Sequence, residues 1–250
     1  MLFVKKTTTP IILLLTQRYL VTAASFLKPQ LNFLLSEFIA PQSSSITRSN
    51  QRTTFNMAHM DSPSAQRNKD PIWGELKKLV PQLKLLSSSP TGDKNDDPND
   101  NNVDTPLQVL EIAAGVGVHT LHFVSKMTSE LNQNVYWYPS DPDETSRNSI
   151  LARVQSCKTS KIQESIYTPP LALTLGTDGI LEEVDGVHDY SQIIVEGNID
   201  LITCINMIHI SPWEATIGLF KLASNKLKGG GILYCYGPYK VNGSAVESNL

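Results

Sequence analysis

The sequence predicts an α/β fold: a doubly wound, mostly parallel sheet. Three observations carry this. From Leu107 onward, short apolar runs alternate with helical patterns, as in chained βαβ units. The first run leads into a loop of small residues, Ala113-Ala114-Gly115-Val116-Gly117, that opens a helix. The fourth run, Ile199 to Ile205, is nearly continuous in apolar residues, as a strand covered on both faces has to be.

The chain has 250 residues, enough for one α/β domain plus appendages. The region from Met1 to Met60 differs from the rest. Its only acid is Glu37, against Lys5, Lys6, Arg18, Lys28, Arg48 and Arg52, and Ser and Thr crowd positions 43 to 54. Residues 1–60 therefore read as an organellar presequence, for a plastid or a mitochondrion. The apolar stretch Ile11 to Leu15 is too short for a membrane span and fits the core of a signal peptide ending near Ala23-Ala24-Ser25-Phe26. The alternatives, for a cytoplasmic protein, are an untargeted, disordered extension or a true start at Met57 or Met60.

The remaining residues, 61–250, read as the globular domain. Ile72, Leu76, Leu79 and Val80 share one helical face, so a helix over that stretch packs on the domain near its ligand site. Residues 87–104, built around SSSPTGDKNDDPNDNN, hold too little apolar surface to offset their ordering entropy and read as a disordered insert. Strand one is Leu107 to Ile112, and a helix follows over His119 to Lys126. Strand two, Val135 to Tyr138, stops at Pro139; its helix spans Glu144 to Val154, with Asp143 as cap. A weaker third strand lies near Leu171 to Leu175. After strand four, Ser211, Pro212 and Glu214 form an S-x-x-E start for a helix whose buried stripe is Ile217, Phe220, Ala223 and Leu227. Lys226, Lys228 and Gly229 end it, and strand five is Ile232 to Tyr236.

The net charge of −3 and the lack of aromatic–basic interleaving give no sign of a nucleic-acid surface. Three scattered cysteines form neither a disulfide framework nor a zinc site; Cys204 and Cys235 read as small core residues.

Strand, small-residue loop, helix is the layout of a nucleotide-type cofactor site. Gly115 and Gly117 let the backbone turn sharply and approach a ligand, and the helix start offers unpaired N–H groups. Glu111, just ahead of the loop, is an acid where dinucleotide folds keep an apolar strand; sites for S-adenosylmethionine place an acid there, near the cofactor's cationic end. Asp141 follows strand two beside the loop, where a carboxylate can accept both ribose hydroxyls of an adenosyl group. Asn206 and His209 follow strand four, where they can orient or deprotonate a methyl acceptor.

The segments SPSAQRNKDPIWGELKKLVP, EIAAGVGVHTLHF, WYPSDPDETSRNSI, CINMIHISPWEAT and GGGILYCYGPYKVNGSAVESN together resemble the methyltransferase-like 26 family. That resemblance covers about Ser62 to Leu250. It implies a class I methyltransferase Rossmann-like fold and S-adenosylmethionine as cofactor, with Glu111, Gly115, Gly117 and Asp141 lining the pocket and Arg67 and Asn68 closing over it. His119, Asn206 and His209 match further family positions. The chain departs from the family pattern in a loop without hydroxyls and in Leu173-Thr174-Leu175, which lacks the usual acid. A class I sheet continues after its fifth strand with a helix and an antiparallel hairpin, and Gly237 to Leu250 are too few to build them. The sheet is therefore expected to be truncated after the fifth strand, with that strand an exposed edge.

The functional expectation is an S-adenosylmethionine-dependent methyltransferase-like protein that needs no metal. Its alternatives are a non-catalytic module binding a cofactor or partner, and a nicotinamide-dinucleotide oxidoreductase using Gly115-x-Gly117-x-x-Thr120.

Overall fold

A computed structural model describes residues 3–5, 11–16, 60–87, 105–179, 181–183, 190–238, 240–241 and 244–245. In chain order the elements are β1 (Phe3–Lys5), β2 (Ile11–Thr16), α1 (Pro63–Leu76), α2 (Val80–Ser87), β3 (Leu107–Ile112), α3 (Val118–Glu130), β4 (Val135–Pro139), α4 (Glu144–Ser156), α5 (Ser160–Glu164), β5 (Leu173–Leu175), β6 (Leu181–Glu183), β7 (Ile199–Ile205), α6 (Trp213–Lys226), β8 (Leu227–Gly237), β9 (Lys240–Val241) and β10 (Ser244–Ala245).

The main sheet has the order β1-β2-β8-β7-β3-β4. β8, β7, β3 and β4 are parallel, so the expected doubly wound α/β sheet is present. All seven residues of β7 are buried, which marks it as the centre. Strand alternation divides the core in two. Leu107 and Val109 of β3 face a cluster that includes Trp73, Leu76 and Leu83 of α1 and α2, Phe123 of α3, and Ile150 of α4. Leu110 and Ile112 face the other side, with Leu219, Leu222 and Ala223 of α6.

The sheet edge departs most from expectation. Strand five, here β8, is not exposed: β2 pairs with it antiparallel, from Ile11↔Gly237 to Thr16↔Ile232, and β1 pairs with β2. The place expected for a C-terminal antiparallel hairpin is taken by two strands from residues 3–16, and the apolar stretch Ile11 to Leu15, read as a leader core, forms most of β2. Residues 88–104 of the expected insert lie outside the described residues, as does most of 1–60.

Other corrections are local. The entry helix begins earlier, at Pro63, where the Ser62 hydroxyl accepts from the Ala65 N–H, and it breaks after Leu76 before α2. The third strand is short and pairs with β6 in a separate two-stranded sheet. α6 has Pro212 as N-cap, with no side-chain cap bond, so Ser211 does not cap it. Its buried residues are Thr216, Gly218, Leu219, Leu222 and Ala223, while Ile217 and Phe220 are only partly covered. Lys226 closes α6, but Lys228 and Gly229 already belong to β8, which starts at Leu227 without a loop. Asp143 does cap α4, accepting from the Ser146 N–H at 2.8 Å, and Cys204 and Cys235 are fully buried. Among the described residues, no helix is long and apolar enough to cross a membrane.

Candidate functional site

β3 connects outward to β4 on one side of the sheet, while β7 lies on the other. Neighbouring loops that leave in opposite directions open a crevice at the carboxyl ends of these strands, where ligands of open α/β sheets gather. The backbone at this rim is unusual. After β3, Ala113, Gly115 and Gly117 have φ of 53°, 58° and 81°; after β7, Asn206 has φ of 61°. Positive φ is costly for residues with a side chain, and it concentrates where a site imposes it.

The two glycines differ. A Cβ on Gly115 would meet no heavy atom within 4 Å, so this residue faces open space. A Cβ on Gly117 would lie 3.0 Å from Ile150 Cγ1, so here the missing side chain lets α4 pack on the loop. Gly117 is also the N-cap of α3 and no side chain caps that helix, which leaves its first N–H groups to the crevice.

The loop is held from three sides. Asp141 Oδ2 accepts from the Gly115 N–H at 2.8 Å and its Oδ1 from the Asp143 N–H at 2.9 Å. The Ala114 N–H donates to the Ser140 carbonyl at 2.8 Å. Arg153 Nε donates to the Val116 carbonyl at 2.7 Å, with Ser149 Oγ donating to the same oxygen at 3.2 Å. Arg153 also donates to the Met60 carbonyl, which bolts the entry segment to the loop. Burial pushes the Asp141 carboxyl up, opposed by its two backbone N–H donors.

Glu111 lies behind the loop, 2% exposed. Its Oε2 accepts from Thr120 Oγ1 at 2.6 Å and from Trp137 Nε1 at 2.7 Å, so the carboxylate braces α3 and β4 instead of opening to the crevice. It shares a row across the sheet with Thr203 and Tyr234, whose buried hydroxyls have no hydrogen-bond partner among the described residues. Burial raises its pKa to about 7, against the pull of its two donors.

On the β8 side, His119 Nε2 bonds Asn68 Oδ1 at 2.8 Å, and the Asn68 side chain hydrogen-bonds the Tyr236 phenol. Burial lowers the His119 pKa to about 4, so it is neutral at pH 7 and donates from Nε2. Asn68 thus ties α1 to the start of α3 and the end of β8. Arg67 is exposed and makes no hydrogen bond or ion pair among the described residues. The Asn206 N–H donates to the Tyr236 carbonyl at 2.8 Å. His209 is exposed in the turn beyond, its pKa lowered by partial desolvation.

The structure therefore brings Gly115, Gly117, Asp141 and Glu111 together, joins Asn68 to His119, and sets Asn206 on the opposite rim. It does not bring Arg67 to them. Sequence reasoning missed Arg153, Trp137 and Tyr236, and read Thr120 only as a fingerprint position, not as the partner of Glu111. The one available signal was the pair of arginines, Arg147 and Arg153, on the buried face of α4.

Sheet order, switch-point crevice and glycine loop define a Rossmann-like α/β protein. Residues 59–250 match the family model described as a protein of unknown function, DUF938, and the chain belongs to that family. Among solved structures, it is similar to the DszA carbon methyltransferase at 14% identity and TM-score 0.42, covering 71% of this chain and 36% of that one. For the CurJ carbon methyltransferase the values are 18%, 0.42, 72% and 39%. For magnesium protoporphyrin IX methyltransferase from Synechocystis PCC 6803 with bound SAM they are 15%, 0.32, 84% and 72%. The chain spans little more than a third of the first two.

Proposed function

We propose that this protein binds S-adenosylmethionine at the β3–β7 crevice and transfers its methyl group to an acceptor whose chemistry is not written in the site. The observation that carries this reading is Gly115: its φ is +58° and a Cβ there would point into open space, directly beside the Asp141 carboxylate. The residues fit such a cofactor. Gly115 gives room for close approach and the uncapped α3 start gives N–H donors. Each Asp141 oxygen keeps a second lone pair for a ribose hydroxyl.

When bound, S-adenosylmethionine supplies an electrophilic methyl group already activated on its sulfonium. The chain's task is then to align and to exclude water. Asp141 and the loop position the donor, Asn68 and α1 cover it, and Asn206 orients the acceptor from the opposite rim. His209, neutral at pH 7, is the group able to take the acceptor's proton. Thr120 speaks against the dinucleotide alternative: its hydroxyl holds Glu111 at the position where that fingerprint has a third glycine for close packing.

Calorimetry on the full chain with S-adenosylmethionine, S-adenosylhomocysteine and NADH tests the reading. Saturable binding of the first two and none of NADH is expected; NADH binding, or no binding of the adenosyl compounds, overturns it. We also propose that residues 1–60 carry an organelle address. A fluorescent reporter fused to residues 1–54 should enter a plastid or mitochondrion, and a diffuse cytosolic signal would refute that.

A further inference from the structure

A second concave site lies on the outer edge of β4, and it shares no residue with the glycine-loop crevice. It is a cleft of about 400 Å³ whose walls include Tyr136, Tyr138, Tyr167 and Glu164. Backbone pairing places three phenol rings there. The Trp137 N–H donates to the Ser165 carbonyl at 2.8 Å, and the Tyr167 N–H donates to the Trp137 carbonyl at 2.8 Å. Trp137 and Ile166 are therefore cross-strand partners, and both turn into the core on one face. Alternation sends Tyr136, Tyr138 and Tyr167 to the other face.

The rings are not packed shut. Tyr138 and Tyr167 are 5.7 Å apart at 41°, neither stacked nor edge-on. The Tyr138 hydroxyl donates to Gln108 Oε1 at 2.8 Å, which fixes that ring. Tyr136 is 48% exposed. Glu164, at the end of α5, makes no ion pair or hydrogen bond among the described residues.

We propose that this cleft binds an organic ammonium ion with a methylated nitrogen. The face of each phenol ring is negative, and Glu164 adds a full charge. A neutral ligand here would desolvate that carboxylate without a partner. A bare ammonium is compact and strongly hydrated, whereas methyl groups weaken hydration, spread the charge and pack on ring faces in a cleft of this size.

Choline and its neutral isostere 3,3-dimethylbutan-1-ol, each titrated into the full chain by calorimetry, test the proposal. Choline should bind about 2- to 30-fold more tightly than the isostere, the range that cation–π contacts give. Glu164→Gln and Tyr136→Ala, both at exposed positions, should each weaken choline binding several-fold without changing the melting temperature. Three results would overturn the proposal: equal affinity for the isostere, no saturable choline binding, or full choline affinity in both variants.

Discussion

Two loops leave neighbouring strands at the same rim and are held very differently. The loop after β3 has its amides and carbonyls tied by Asp141, Ser140, Ser149 and Arg153, with contacts from β4 and α4. The loop after β7 rests on one bond to β8, from the Asn206 N–H, and on two turn bonds to the Met207 carbonyl. His209 is exposed beyond it, and Ile210 is 76% exposed. The first loop is preorganised, as a site for an invariant ligand has to be if ordering is not to be charged to binding. The second can adapt, which suits the side where the proposed acceptor would enter.

The sharpest way to break this comparison is to substitute the two glycines. Gly117→Val drives a branched side chain into Ile150 from a φ of +81°. Strain and overpacking together cost roughly 2–6 kcal/mol, a large part of a domain's stability, so the variant should be insoluble or molten by circular dichroism. Gly115→Val meets only the strain and should fold, but bind no S-adenosylhomocysteine. Normal binding by Gly115→Val would reduce the loop to a turn.

Asp141→Ala comes next. It removes the acceptor of two backbone N–H groups. Hydrogen bonds to a charged group contribute about 1.5–3 kcal/mol, so affinity for S-adenosylhomocysteine should fall about 10- to 100-fold. Unchanged affinity would remove Asp141 from the site.

Glu111 probes the brace behind the loop. In the fold it keeps its proton to about pH 7, whereas the unfolded chain releases it near 4.5. Between those values the unfolded state binds fewer protons, so stability falls as pH rises. Gln still accepts from Thr120 and Trp137 without that charge. Melting curves should show Glu111→Gln matching the parent near pH 4.5 and exceeding it at pH 8; parallel curves across this window would mean the carboxyl is not held neutral.

The smallest effect on the fold belongs to the open rim. His209→Ala should leave melting and cofactor affinity within about 0.5 kcal/mol of the parent. Turnover should fall, and the acid limb of its pH profile, below the ordinary histidine value, should vanish because protonated imidazole is no base. An unchanged profile would exclude His209 from the chemistry.

The sequence made some of this legible. β3 and β7 have the expected limits, because each is an apolar run bounded by turn-forming residues. β8 was read too short: Gly229-Gly230-Gly231 looks like a turn, yet Gly231 lies in the strand, where a Cβ would sit 3.1 Å from the carbonyls of Ile199 and Asp200. The start of α1 was obscured by Pro71, which falls inside the helix. The glycine loop announced itself because several residues in a row are constrained. Its clamps did not: Arg153, Trp137 and Tyr236 are single side chains on otherwise apolar faces, and their partners lie far along the chain. β2 was invisible for another reason: a five-residue apolar run serves a leader and a strand equally well.

That pairing of β2 with β8 has a consequence in time. Ile11 leaves the ribosome 226 residues before its partner Gly237, counting from one position to the other. At ~5–20 residues per second that interval lasts roughly 10–45 s. Throughout it the Ile11–Thr16 segment has only β1 to pair with, and its other edge waits for β8. The proposed targeting role and the structural role of the same six residues would therefore be successive, not exclusive. Until β8 is complete, the sheet lacks the strand on which its last two strands are built.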